Sequence, residues 1–364
     1  MDLRKSFDTV DHEILLYKMN RSGVRGQVLN WFKSYLSNRP QQTKINEQKS
    51  NIQYIKCGVP HGSVIGPLLF LIYINDIGKL QLNGNLLLFA DDAVLVYDSK
   101  NPYHIETAMN EDLDTLNTWF MENKLSLNLL KTNYIIFTKP ACPVPHLSLT
   151  IGNNLITKAD SVKYLGVVID KNLSWSDHIN YLLPKLRSAT NLMYRLRKTL
   201  DVKYLKMIYY AYFHSRLSYM SSVWGLTNKN LISKIYTLQN SVIKTMLGVS
   251  RLYSTKQLYW ISNVLPLSAI TNVNLILLVY NHLHSRKSFN SAMSLNHQVH
   301  NYNTRAADNL HIPKASSTRY GINGVSFQAI KLYNSLPPDI KNKTSHDKFK
   351  KEVKNLCHHR LTNT

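Results

Sequence analysis

The chain has 364 residues, enough for two or three domains, and an apolar content ordinary for a globular protein. Lys and Arg number 44 against 22 acids, a net charge of +22, so a polyanion such as nucleic acid is the first candidate partner; the alternative is a basic protein with no such partner. Three cysteines without paired spacing (Cys57, Cys142, Cys357) argue against a disulfide framework, and no signal peptide or long apolar run is seen, so secretion and membrane spanning are not expected.

In chain order, residues 12–20 and 26–37 read as helices. Val28, Leu29, Trp31, Phe32, Tyr35 and Leu36 recur at helical spacing in the second, Pro40 ends it, and Asp11 is placed to cap the first. Residues 41–46 and 51–58 read as strands joined by the turn Glu47-Gln48-Lys49-Ser50. The loop Gly58-Val59-Pro60-His61-Gly62 leads into an apolar helix over 63–77, and two short strands flank Asp91-Asp92. An amphipathic helix over 103–124 precedes strands at 134–138, 147–151 and 162–169, the last with Gly166 inside it.

After Trp175 the pattern becomes helix after helix, about 176–199, 202–220, 228–247 and 266–285. Residues 286–322 read as loop or linker, and helices over 324–335 and 345–358 close the chain. An α+β half thus precedes a helical one. Between residues 181 and 260 there are 13 Lys/Arg and one acid, Asp201, interleaved with Tyr194, Tyr204, Tyr209, Tyr210, Tyr212, Phe213, Tyr219, Trp224 and Tyr236. Such a mixture suits backbone tracking and base stacking, although more than half of these rings are expected in helix core. Cys357-His358-His359 resembles half a metal site but lacks a second pair at ligand spacing, and reads as an exposed helix end.

Chemistry concentrates at Phe89-Ala90-Asp91-Asp92. Two adjacent carboxylates between apolar strands cost several kcal/mol to bury unless cations compensate, which points to divalent metal with phosphate oxygens completing its shell. A two-metal phosphoryl-transfer site needs a further carboxylate from another strand, and the best candidate lies in Met1-Asp2-Leu3-Arg4-Lys5-Ser6-Phe7-Asp8.

With Asp2 included, five blocks fall in a recognisable order. Asp2-Leu3-Arg4-Lys5-Ser6-Phe7-Asp8-Thr9-Val10-Asp11-His12 resembles motif A of the reverse transcriptases of non-LTR (LINE-like) retrotransposons. Gly58 through Phe70, running on to Tyr73-Ile74-Asn75-Asp76, resembles motif B, and Phe89-Ala90-Asp91-Asp92 motif C. Lys124-Leu125-Ser126-Leu127-Asn128 through Lys131-Thr132 is similar to motif D, and Tyr164-Leu165-Gly166-Val167 to motif E, the primer grip. The resemblance covers about residues 1–260; Tyr302-Asn303-Thr304-Arg305 and Tyr333-Asn334-Ser335-Leu336-Pro337 are similar to later segments of the same elements.

The resemblance implies a right-hand polymerase: a palm over 1–175 with a ferredoxin-like sheet, a basic helical thumb over 176–285, and a linker with a C-terminal helical module over 286–364. It implies RNA-directed DNA synthesis with two magnesium ions, manganese being able to substitute, held by Asp2, Asp91, the carbonyl of Leu3 and, more weakly, Asp92. Phe7 would exclude a 2′-hydroxyl, or simply be core. His61 and Gly62 would face the incoming nucleotide, with His61 standing where Gln is usual. Leu165 and Gly166 would form the primer grip, and Lys131 would serve the leaving pyrophosphate or be a solvated charge. Asp8 and Asp11 read as solvated or capping, and Asn75-Asp76 as a helix-end cap.

Implied partners are an RNA template, a DNA primer, their hybrid and dNTP, with no membrane. Motif A begins at the second residue, so the fingers and an endonuclease are expected on an upstream part of a polyprotein, and the chain alone is expected to extend primers poorly. An intracellular protein is expected, nuclear in function with a cytoplasmic ribonucleoprotein stage. Two rivals stay open: a remnant that only binds RNA or hybrid, and another two-metal phosphoryl transferase.

Overall fold

Helix His12–Arg21 starts where the Asp11 carboxylate accepts the free backbone N–H groups of Glu13 and Ile14, both at 3.0 Å, so the expected cap is formed. It buries Leu15 and Met19 against helix Gly66–Ile74, whose Leu69, Phe70 and Tyr73 are buried. The computed structural model describes residues 1–138, 142, 145–285, 293–299, 307–315 and 317–360; Tyr302–Arg305 lies outside the described residues. The chain divides into two compact units, Met1–Val162 and Lys163–Thr364.

The first unit mixes helices with short sheets. Arg39–Gln41 pairs antiparallel with Gln53–Ile55, and inside that hairpin Lys44–Ile45 pairs with Gln48–Lys49. The turn is therefore Asn46-Glu47, earlier than the expected 47–50, because Asn46 takes the left-handed backbone (φ 55°) that Asn tolerates. The apolar helix is shorter than 63–77: the Ser63 hydroxyl accepts the Gly66 N–H at 2.9 Å, and past Ile74 the chain tightens into a 3₁₀ turn, Asn75–Lys79. Hairpin Asn85–Phe89/Asp92–Val96 and helix Pro102–Glu122 follow. The expected strands over 134–138 and 147–151 shrink to Asn133–Tyr134 and Thr150–Ile151.

Two charged side chains organise this unit. The half-buried Lys18 ammonium donates to the Tyr73 carbonyl and to Asp76, both at 2.7 Å, and lies over the rings of Tyr73 and Trp119. Asp76 thus serves as the partner of a half-buried cation. Asp112, buried on helix Pro102–Glu122, accepts the backbone N–H groups of Asn83 (2.9 Å) and Gly84 (2.8 Å) and the Tyr97 hydroxyl (2.6 Å). It fixes the strand hairpin onto the helix, a role the local sequence does not announce.

The second unit is almost wholly helical. The expected strand over 162–169 is instead a hairpin, Ser161–Tyr164 and Val167–Asp170, turning at Leu165-Gly166. Both turn residues have positive φ (44° and 81°), which ends a strand, and Val167–Asp170 packs on helix Ser176–Leu196. The compact units therefore meet earlier in the chain than the change of pattern at Trp175. Helices Val202–Ile208 and Lys229–Leu247 pack with Ser176–Leu196, a π-helical turn Tyr209–His214 extending the former.

One core gathers Leu186, Met193, Tyr209, Phe213, Trp224, Val242 and Leu258. Within it the Gln239 amide is fully buried and fully paired, donating to the Tyr209 hydroxyl and the Leu265 carbonyl and accepting the Leu267 N–H. A second core joins helix Leu267–Ser285 to helices Val325–Asn334 and His346–Arg360. The C-terminal helices thus share a core with the helix expected to end a separate thumb. Parts of the expected linker are also ordered, as a helix Asn296–Val299, a bridge between Leu295 and Leu310, and a π-helical turn Thr318–Ile322. Among the described residues no single helix is long and apolar enough to cross a membrane.

Candidate active site

The segment Met1–Arg4 lies between two others. On one side Asp2 bridges antiparallel to Asp92, with the Ala93 N–H donating to the Met1 carbonyl at 3.2 Å. On the other Leu3 bridges to Leu127, the Arg4 N–H donating to the Ser126 carbonyl and the Asn128 N–H to the Asp2 carbonyl, both at 2.8 Å. The buried Leu3 side chain anchors the centre. Residues from motif-like blocks A, C and D thereby lie side by side, with Asp2 directly opposite Asp92.

Asp91 sits in the two-residue turn of the Asn85–Phe89/Asp92–Val96 hairpin, where Phe89 pairs with Asp92. Ala90 precedes it with φ 51°, a left-handed conformation that costs a non-glycine residue about 1–2 kcal/mol. The buried Ser6 hydroxyl donates to Asp91 Oδ2 at 3.3 Å. Asp2 Oδ2 receives the Asn128 side-chain amide at 3.2 Å and lies 3.4 Å from the Lys131 ammonium. Asn128 was absent from the sequence-derived site; its position in the block containing Lys131 was the available signal.

Asp92 lies near enough to Asp91 and Asp2 to feel the charge of both. The Asp92 carboxyl is held above its ordinary range first by burial, then by the charges of Asp91 and Asp2. Among the described residues no three Asp, Glu, His or Cys side chains converge closely enough to hold a metal alone. The donor chemistry nevertheless fits a hard divalent cation: half-buried carboxylate oxygens whose charges raise the Asp92 carboxyl and which a cation would neutralise.

The other expected residues of this unit flank the carboxylates in sequence and meet one another. Phe7 packs on Phe70 with ring centroids 4.8 Å apart and lies 6.1 Å from the His61 ring. His61 Nε2 bonds Asp8 Oδ1 at 2.6 Å, so Asp8 is a partner of His61 and not a free solvated charge. Gly62 is exposed, with φ 73° and open space where a Cβ would stand. Asp11 pairs with Lys124 at 2.6 Å, which with its two backbone bonds holds its carboxyl low despite burial.

Leu165 and Gly166 lie in the second unit. The Tyr219 hydroxyl donates to the Leu165 carbonyl at 2.6 Å, and a Cβ on Gly166 would meet the Tyr219 ring at 3.3 Å. The turn thus needs glycine for backbone conformation and for close approach. The sequence places Tyr219 among the aromatics of the basic helices but does not show its contact with this turn. Beside this turn in sequence, the Tyr181 hydroxyl is pulled below its ordinary range by bonds to Lys185 and Lys163. Of the thirteen aromatics between residues 181 and 260, Tyr209, Phe213, Trp224 and Tyr259 are buried and Tyr181, Tyr236 and Tyr253 partly so, whereas Tyr194, Tyr204, Tyr210, Tyr212, Tyr219 and Trp260 are exposed. The rings thus divide almost evenly between core and surface: the helices are amphipathic, and tyrosine serves their wet face as well as phenylalanine serves the dry one.

Residues 1–169 match the family described as reverse transcriptase (RNA-dependent DNA polymerase). The chain is 28% identical over 258 residues to the RNA-directed DNA polymerase from mobile element jockey of Drosophila funebris, covering 68% of this chain and 28% of that protein. It is 28% identical over 256 residues to the probable RNA-directed DNA polymerase from transposon X-element of Drosophila melanogaster, with the same coverage. It is 26% identical over 222 residues to a Pol polyprotein from the type-1 retrotransposable element R1 of Nasonia vitripennis, covering 57% of this chain and 65% of that protein. The chain thus spans little more than a quarter of the jockey and X-element polymerases it resembles.

Proposed function

We propose that this chain belongs to the reverse transcriptases of non-LTR retrotransposons and supplies the palm and thumb of an RNA-directed DNA polymerase. The observation that carries the reading is the bridge between Asp2 and Asp92, beside the turn holding Asp91. It joins two blocks about 90 residues apart in sequence into one carboxylate cluster, which a fold without polar chemistry has no reason to build.

The proposed reaction is in-line displacement. The primer 3′-oxygen attacks the α-phosphorus of a dNTP, a new phosphodiester forms, and the bond to pyrophosphate breaks. Asp2 and Asp91, with the Leu3 carbonyl, are the proposed ligands of two magnesium ions, and Asp92 is the outer one. Bound divalent ions supply charge neutralisation and a lowered hydroxyl pKa. Lys131 is the cation available to the departing pyrophosphate, and Asn128 and Ser6 orient the carboxylates they bond. Phe7, backed by Phe70, is rigid enough to act as the gate against a ribose 2′-hydroxyl, with His61 and Gly62 beside the sugar and base.

Template RNA, DNA primer and their hybrid are the proposed partners of the exposed tyrosines and Lys/Arg between residues 181 and 260. The palm is proposed over 1–175, the thumb over 176–285 and the closing module over 286–364. The test is primer extension on poly(rA)/oligo(dT) with magnesium, by the full-length protein that carries this chain. Extension abolished by Asp91→Ala, with hybrid binding retained, is the expected result. Extension that survives Asp91→Ala and Asp2→Ala would refute the assignment.

A further inference from the structure

The second unit contains a cleft of about 390 Å³ that the polymerase reading does not use. Helix His346–Arg360 forms one wall, the π-helical turn Tyr209–His214 and helix Leu267–Ser285 the others. Lys350, Lys354 and His358 follow one another at four-residue spacing, so one face of the C-terminal helix delivers all three into the cleft, and His214 faces them. None of the lining residues is an acid. Like charges at this spacing destabilise a helix unless something of opposite sign lies between them.

Two further observations point to a missing partner. His214 Nδ1 and His358 Nε2 are buried without a hydrogen-bond partner, an arrangement that costs about 1–3 kcal/mol for each atom. The cations also disturb one another: Lys354 is held below the ordinary lysine range first by burial and then by Lys350. His214 is pushed down to about 4, first by burial and then by Lys354. The sequence reading of Cys357-His358-His359 as an exposed helix end is corrected here, because Cys357 and His358 are half-buried, with the His358 ring 5.5 Å from Trp260. The residues are not grouped as metal ligands: among the described residues no three such side chains converge, and the lysines would repel a cation.

We propose that this cleft is an anion site that binds a phosphate group through Lys350, Lys354, His214 and His358, with Asn355 and Ser218 as neutral hydrogen-bonding groups on its walls. The volume exceeds that of a single small anion and falls within the range of pockets for small ligands. A tetrahedral phosphate presents several acceptor oxygens to donors on different helices, which no single carboxylate matches. The phosphate is carried either by a small molecule or by a nucleic-acid backbone; the chemistry at the cleft is the same.

The experiment titrates inorganic pyrophosphate into the chain in EDTA, which suppresses binding through divalent ions at the carboxylate cluster. Binding is followed by calorimetry and by the imidazole resonances of His214 and His358. Saturable binding that moves both resonances is expected, with affinity falling at least about tenfold in Lys350→Gln/Lys354→Gln. Lys198→Gln, outside the cleft, should leave it unchanged. Stationary imidazole resonances, or full affinity in the double variant, would overturn the proposal. If the double variant does not fold, Lys354→Gln alone and the resonances of the unaltered protein decide. An RNA/DNA hybrid that displaces pyrophosphate identifies a backbone phosphate, and one that does not identifies a small molecule. No primer or dNTP is present, so failure here and failure of the polymerase reading are distinguishable.

Discussion

The two units handle like charge in opposite ways. The first gathers Asp2, Asp91 and Asp92 on a sheet, partly satisfied by Asn128, Ser6 and Lys131. The second gathers Lys350, Lys354, His214 and His358 in a cleft without an acid. Among the described residues most other buried polar side chains are paired, as at Lys18 with Asp76 and at Gln239, Thr271 Oγ1 being an exception. Incomplete pairing in a protein otherwise careful about it marks the places where something from outside completes the arrangement.

The sharpest way to break this comparison is at the carboxylates. On the proposed function, Asp91→Asn should lower primer extension by about a thousandfold or more while leaving the melting temperature unchanged or slightly raised, because a like charge is removed. A stability loss paralleling the activity loss would make Asp91 a structural residue.

Lys18→Met tests the opposite case, a completed pair. It strands Asp76 beside the Tyr73 carbonyl and should cost about 3 kcal/mol in urea unfolding. A cost below about 1 kcal/mol would show the pair to be no better than a surface ion pair.

The imidazoles test the second unit by pH. Burial lowers His178 to about 4, and its Nδ1 accepts the Val168 N–H at 3.3 Å; His214 lies at about the same value. Between about pH 6.5 and about pH 4 the unfolded chain takes up protons that the folded chain refuses. Stability is therefore full above that window and falls through it on acidification, by on the order of 2 kcal/mol for each imidazole. Urea titrations at about pH 7 and about pH 4 should show the loss, and His178→Phe should remove its own share. An equal loss in that variant would assign the effect to other groups.

The smallest expected effect is at the Leu165-Gly166 turn. Tyr219→Phe deletes the bond to the Leu165 carbonyl and should cost about 1 kcal/mol. Faster primer dissociation without a change in dNTP KM would tie Tyr219 to the primer-grip role proposed for that turn. Unchanged dissociation would leave it a matter of stability alone.

Legibility followed the range of the interactions. Helix His12–Arg21 and its Asp11 cap, and helices Gly26–Leu36, Pro102–Glu122 and Lys229–Leu247, were readable because apolar periodicity and capping act within a few residues. The motif-like blocks were readable because residue type and order survive without coordinates for the rest. The reversal at Leu165-Gly166 is hidden in what reads as one strand over 162–169, since a nearly continuous apolar run crosses it and only the positive φ angles reveal the turn. Asp112, Lys18 with Asp76, and Tyr219 with Leu165 carry no local signal, because their partners lie far away in sequence.

The sequence by itself therefore carried the resemblance to reverse transcriptases, the carboxylates available for chemistry and the basic helical half. Only the tertiary structure decided that Asp2 stands opposite Asp92, that His61 faces Asp8, and that the C-terminal Lys and His side chains meet His214 across a cleft. The physical reason is that residue type is local, whereas charge compensation depends on which distant side chains the packed cores bring together.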